Sequence, residues 1–96
     1  MPFDLEIPVL FRDQGWKVKI RDKERLEPPH ASILFKTKAW RIGLRDRVFL
    51  DSTPSSKGVP KKLLDHVFAD EAWDELCRQW DLMYPNNPVG GDEDEL

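Results

Sequence analysis

The sequence predicts an α+β domain, an antiparallel meander of about four strands packed by one or two C-terminal helices. Three observations carry this. Apolar and polar residues alternate through much of the first half, the period of half-buried strands. From Leu63 onward, apolar residues recur at the spacing of an amphipathic helix. Neither element can bury its apolar side alone, so the helical stripe is expected to cover one sheet face. With 96 residues the chain has room for one modest core and not two. We expect a single domain over residues 1–89 and a disordered acidic tail over residues 90–96.

The first strand is expected over Asp4 to Arg12, where Leu5, Ile7, Val9 and Phe11 point one way and Asp4, Glu6, Pro8 and Arg12 the other. Pro8 lacks a ladder N–H, which places this strand at an edge. Asp13-Gln14-Gly15 reads as the turn of a hairpin. Trp16, Val18 and Ile20 then alternate with Lys17, Lys19 and Arg21 in a second strand. A polar loop follows, ending in Glu27-Pro28-Pro29-His30, whose prolines hold an extended approach to the next strand. Ala31 to Phe35 and Ala39 to Leu44 read as strands three and four. Arg47 to Leu50 either continues the fourth after a bend or forms a short fifth. Asp51 to Val59 is rich in Ser, Pro and Gly and reads as a loop.

Pro60 suits a first helical position. Leu63, Leu64, Val67 and Phe68, then Trp73, Leu76, Cys77 and Trp80, follow helical spacing. Asp70 is a candidate cap, so the segment is one long helix or two with a break near Ala69. Pro85-Asn86-Asn87-Pro88 ends it.

Gly15-Trp16-Lys17-Val18-Lys19-Ile20, Glu27-Pro28-Pro29-His30 and Ala39-Trp40-Arg41-Ile42-Gly43-Leu44 occur in this order, followed by a helix with Leu76 and Trp80 near its end. Together they resemble the small bacterial family known as domain of unknown function 4160. Its members show an aromatic-rich strand, a Pro-Pro-His-x-His signature, a strand of the type Ala-Lys-Phe-Trp-Leu and a C-terminal helix ending Leu-x-x-x-Trp. The resemblance runs from about Gly15 to Tyr84, and Ser32 stands where the second signature histidine would fall. It implies no established activity. Some members look like components of paired small-gene modules of toxin–antitoxin type.

Composition narrows the function classes. The single cysteine, Cys77, excludes an intrachain disulfide and a four-cysteine zinc site, and fits a reducing, cytoplasmic setting. No apolar run approaches the roughly 20 residues of a membrane span, and the acidic, proline-interrupted start is unlike a secretory signal. Arg12 to Lys62 holds fourteen of the fifteen Lys and Arg against six carboxylates, a balance of +8. Leu63 to Leu96 holds one arginine against ten carboxylates, a balance of -9. Such segregation either lets two halves of one fold attract each other or offers a basic face to an acidic partner.

Chemistry-bearing residues are sparse. His30 could ligate a metal or move a proton with Glu27 or Ser32, against the simpler reading of a histidine that pins the Pro-Pro corner by hydrogen bonds. His66, Asp70 and Asp74 share a stripe if the helix is unbroken, although Asp70 as a cap and Asp74 paired with Arg78 explain them more simply. Cys77 lies in an apolar stripe, the reverse of what activates a thiolate. No nucleophile elbow or phosphate-cradling glycine loop is present in the sequence. No complete catalytic constellation emerges, and no cofactor or metal is expected. The expected function is a non-catalytic protein-binding or regulatory module. Its binding residues would be Lys17, Lys19, Arg21 and Arg41 on the polar sheet face, with Pro28, Pro29 and His30 at the corner. The partner would be another small protein or a second copy. Nucleic-acid binding through the basic strands is the alternative, and an enzyme or metal site around His30 a further one.

Overall fold

The computed structural model describes residues 3–21 and 28–90. The elements are β1 (Phe3–Asp4), α1 (Val9–Gln14), β2 (Lys17–Ile20), β3 (His30–Phe35), β4 (Lys38–Gly43), α2 (Lys61–Phe68) and α3 (Asp70–Met83), with a 3-10 turn at Ser56–Gly58. The strands form one antiparallel sheet in the order β1-β2-β3-β4. The α+β class and the meander are therefore as the alternation predicts. The acidic tail from residue 91 and the loop residues Asp22 to Glu27 lie outside the described residues.

The long first strand is not there. β1 pairs Phe3 with Ile20 and Asp4 with Lys19, and Leu5 N–H still donates to the Val18 carbonyl at 2.8 Å. The chain then leaves β2. Pro8 caps α1, its carbonyl accepting from Phe11 N–H at 3.0 Å and Arg12 N–H at 3.1 Å. Ile7, just before the cap, and Phe11, within the helix, are both buried, while Val9 is left 57% exposed. Gly15 closes the helix at φ 103°, a left-handed cap that frees a Cβ-less residue from strain and is not a hairpin turn.

β2 and β4 stand where the alternation puts them, and β3 covers the expected strand at Ala31 to Phe35. Val18, Ile33 and Trp40 are in register across the sheet, as are Ala31 and Ile42 beside them. All are buried in one core with Trp16, Leu63, Val67, Leu76 and Trp80. Trp16 stacks on Phe35 with ring centroids 4.3 Å apart, and Trp40 donates its indole N–H to the Ser55 carbonyl at 2.9 Å. The segment after β4 folds back along it: Gly43 N–H donates to the Val48 carbonyl and Leu50 N–H to the Arg41 carbonyl, each at 2.8 Å. Ile42 and Phe49 make an isolated bridge, so neither a continued fourth strand nor a full fifth forms. A Cβ at Gly43 would sit 2.7 Å from Asp46 Oδ1, so a larger residue there would push the Asp46 side chain aside.

The helix is two helices. Ala69, at φ -61° and ψ 146°, ends α2 and starts α3. Asp70 is not the cap. It is the first residue of α3, where it and Glu71 face the positive end of the helix dipole. Pro60 likewise caps α2 and does not occupy its first turn. Beyond α3, Tyr84 donates its hydroxyl to the Arg21 carbonyl and Trp80 its indole N–H to the Asn87 carbonyl at 2.7 Å. The first fastens the end of α3 to the end of β2, and the second ties α3 to the segment that follows it. No helix among the described residues is long and apolar enough to cross a membrane.

Candidate binding site

The register of the sheet sets the polar face. Lys17 lies opposite Leu34, and Lys19 opposite Ser32, which in turn faces Arg41. Lys19, Ser32 and Arg41 thus form one row across three strands. The cations of this row are matched. Arg41 makes a bidentate pair with Asp51, Nε to Oδ2 and Nη2 to Oδ1, both at 2.8 Å. Those hydrogen bonds hold the Asp51 carboxyl below its ordinary range. Lys19 Nζ lies 3.6 Å from Asp4 Oδ1. The Ser32 hydroxyl is buried between them in register and has no hydrogen-bond partner among the described residues.

The basic stripe does not extend along β4. Arg45 donates to the carbonyls of Val89 at 2.6 Å and Pro88 at 2.8 Å, and the Arg47 guanidinium lies 5.0 Å over the Trp73 ring. Both tie the chain to α3 and the segment after it, so they add nothing to a face at Lys17 and Lys19. Arg21 is exposed, its carbonyl engaged by Tyr84.

The Pro28-Pro29-His30 corner is structural. Pro28 is exposed, but Pro29 and His30 are buried, with His30 only 1% exposed. His30 Nδ1–H donates to the Pro28 carbonyl at 2.8 Å, and its ring lies 5.4 Å from that of Trp80. The Pro29 carbonyl accepts from Leu44 N–H at 2.9 Å. Two of the three expected binding residues here are therefore inaccessible to a partner, because the end of α3 closes over them. Glu27, the expected helper of His30, lies outside the described residues.

The helical candidates disperse. The break at Ala69 puts His66 on one helix and Asp70 and Asp74 on another. His66 Nε2–H donates instead to the Glu6 carbonyl at 2.8 Å. Arg78 pairs with Glu75 at 2.6 Å and not with Asp74. No cluster of three or more His, Cys, Asp or Glu able to hold a metal occurs among the described residues. Cys77 is half-buried, and burial pushes its thiol pKa up, with Asp81 and Asp74 acting the same way.

Sequence reasoning missed a cleft. Where the chain departs from β2 it leaves a space of about 320 Å³ between Leu5 to Ile7, α1 and β2. Leu5, Ile7, Trp16 and Val18 give it an apolar lining, and Asp4, Glu6, Arg12, Lys17 and Lys19 line it as well. The Arg12 and Lys17 side chains are exposed and make no ion pair or hydrogen bond with a described residue. Lys17 was legible as a basic strand residue. Arg12 was not, because a strand at residues 4–12 would have lain flush along β2 and left no opening. A scan of protein-family models, a search of curated proteins and a search of solved structures each find no match to the chain.

Proposed function

We propose that the chain is a non-catalytic binding module that captures an acidic protein partner through the basic side of β2, at Lys17, with Arg12 of α1 beside it. One observation carries the reading. Arg12 and Lys17 are exposed cations with no acidic counterpart among the described residues, whereas Arg41 and Lys19 on the same side of the sheet are matched by Asp51 and Asp4. Unmatched charge beside an apolar-lined recess steers an oppositely charged partner and fixes its register. Arg41, Pro29 and His30 are not part of this surface: the first is engaged by Asp51 and the others are buried.

The test is capture from source-cell lysate at physiological salt by the wild-type chain and by the double variant Arg12→Glu, Lys17→Glu. Both positions are exposed, so the variant is expected to unfold at the wild-type temperature. A stoichiometric protein held by the wild type and lost from the variant supports the reading. Equal capture by both sinks it. Nuclease-sensitive material released steeply by salt, with no protein, would transfer the same surface to nucleic acid.

A further inference from the structure

The cleft at the side of β2 has a chemistry that basic charge alone does not explain. We infer that it receives a linear acidic-apolar peptide segment, one carboxylate side chain at Arg12 and Lys17 and a neighbouring apolar side chain in the recess. This rests on the binding-module reading above and names what the module takes. Three features of the cleft select this occupant.

The first is size. About 320 Å³ stands at the low end of ligand pockets, enough for one or two side chains. The second is the lining. Leu5, Ile7, Trp16 and Val18 offer apolar surface, which a partner that brought only charge would leave wet. The third is the balance of charge in the lining. Asp4 already holds Lys19, leaving one carboxylate, Glu6, against two cations, Arg12 and Lys17. A polyanion such as a nucleic-acid backbone would meet repulsion from Asp4 and Glu6 along part of its path. A peptide meets Arg12 and Lys17 with a single carboxylate and can present backbone N–H groups to Glu6. The Glu6 carbonyl accepts from His66 Nε2–H at 2.8 Å, which anchors this segment to α2 and reduces the ordering that binding would otherwise require.

The probe is the blocked peptide acetyl-Ala-Leu-Glu-Phe-Ala-amide, titrated into the full chain labelled with nitrogen-15 and followed by amide and indole resonances. Two control peptides are titrated alongside, one with Gln in place of Glu and one with Ser in place of both Leu and Phe. Expected are shifts at the Trp16 indole and at the amides of Leu5, Arg12 and Lys17. Affinity should fall at least tenfold for each control and for the variant Arg12→Glu, Lys17→Glu, whose remaining spectrum stays that of the folded chain. Equal binding of the Gln peptide overturns the carboxylate contact. Equal binding of the Ser peptide overturns the recess while leaving the basic surface standing. Shifts confined to other residues, or none with any peptide, overturn the cleft as the docking site, and the capture experiment then judges the basic surface separately.

Discussion

Asp51 shows how a single residue can decide whether a charge is available for binding. Its carboxylate holds Arg41 in a two-bond fork, and the side chains are 33% and 34% exposed, so solvent screens part of the attraction. Asp51→Asn keeps the shape, loses the charge and one good acceptor, and should cost about 1 kcal/mol at neutral pH. The pH dependence has a definite sign. The Arg41 hydrogen bonds lower the folded-state pKa of Asp51 below its unfolded value, so the stabilisation is complete above about pH 4 and is lost as pH falls through the folded value. Wild type and Asp51→Asn should therefore differ in urea midpoint at pH 7 and converge well below pH 4. A gap that persists unchanged at low pH would show that the ion pair is not its source. From sequence, Arg41 reads as one more cation on a polar strand face. Nothing in the spacing reveals its partner, because Asp51 reaches it only through the fold-back of residues 47–50 along β4.

At the scale of elements, the junction at Ala69 is held by backbone bonds alone, its N–H donating to the His66 carbonyl at 3.2 Å and its carbonyl accepting from Trp73 N–H at 2.9 Å. Ala69 has the extended backbone of an N-cap and is exposed, yet offers no side-chain acceptor to the first N–H groups of α3. Ala69→Asp supplies that acceptor and adds charge favourable to the dipole of α3, against a smaller opposing effect at the end of α2. The expected gain is about 0.5–1 kcal/mol, read as a raised midpoint in thermal unfolding. An unchanged or lowered midpoint would mean that Asp70, Glu71 and the end of α2 oppose the new carboxylate more than the cap contributes. The break itself was legible as one of two readings, since the apolar spacing slips between Phe68 and Trp73. The strands β2 and β4 were legible because their alternation has no competing period. Residues 4–12 were misread because Leu5, Ile7, Val9 and Phe11 keep a period of two across Pro8, where the chain leaves the sheet with Ile7 before α1 and Phe11 inside it. Pro8 then decides for the helix, having a fixed φ suited to a helix start and no N–H for a ladder. The cleft was illegible for the same reason, being the space left when that segment departs from the sheet.

The whole molecule depends on the C-terminal helices closing a sheet that cannot bury its own face. Trp80 is the residue where this closure concentrates. It is fully buried, its ring lies 4.2 Å from that of Tyr84 and 5.4 Å from that of His30, and its indole N–H is bound by the Asn87 carbonyl. One side chain thus joins α3, the start of β3 and the segment after the helix. Replacing it with alanine removes a large apolar surface, opens a cavity and loses the indole bond to the Asn87 carbonyl. The expected cost of Trp80→Ala is about 3–5 kcal/mol. A domain of this size holds roughly 5–15 kcal/mol in total, so the loss takes a large share of the stability. Because core and corner share this residue, it should fall on the molecule as a unit: the urea midpoint drops by near-ultraviolet and far-ultraviolet circular dichroism together. Leu82→Ala, two residues along the same helix but 63% exposed, should leave the midpoint within about 0.5 kcal/mol of wild type. If Trp80→Ala instead loses its near-ultraviolet signal while the sheet melts at the wild-type midpoint, the helices and the sheet are separate cooperative units. The cleft beside β2 would then survive without α3, and its anchoring through His66 to α2 could be tested on the shortened chain.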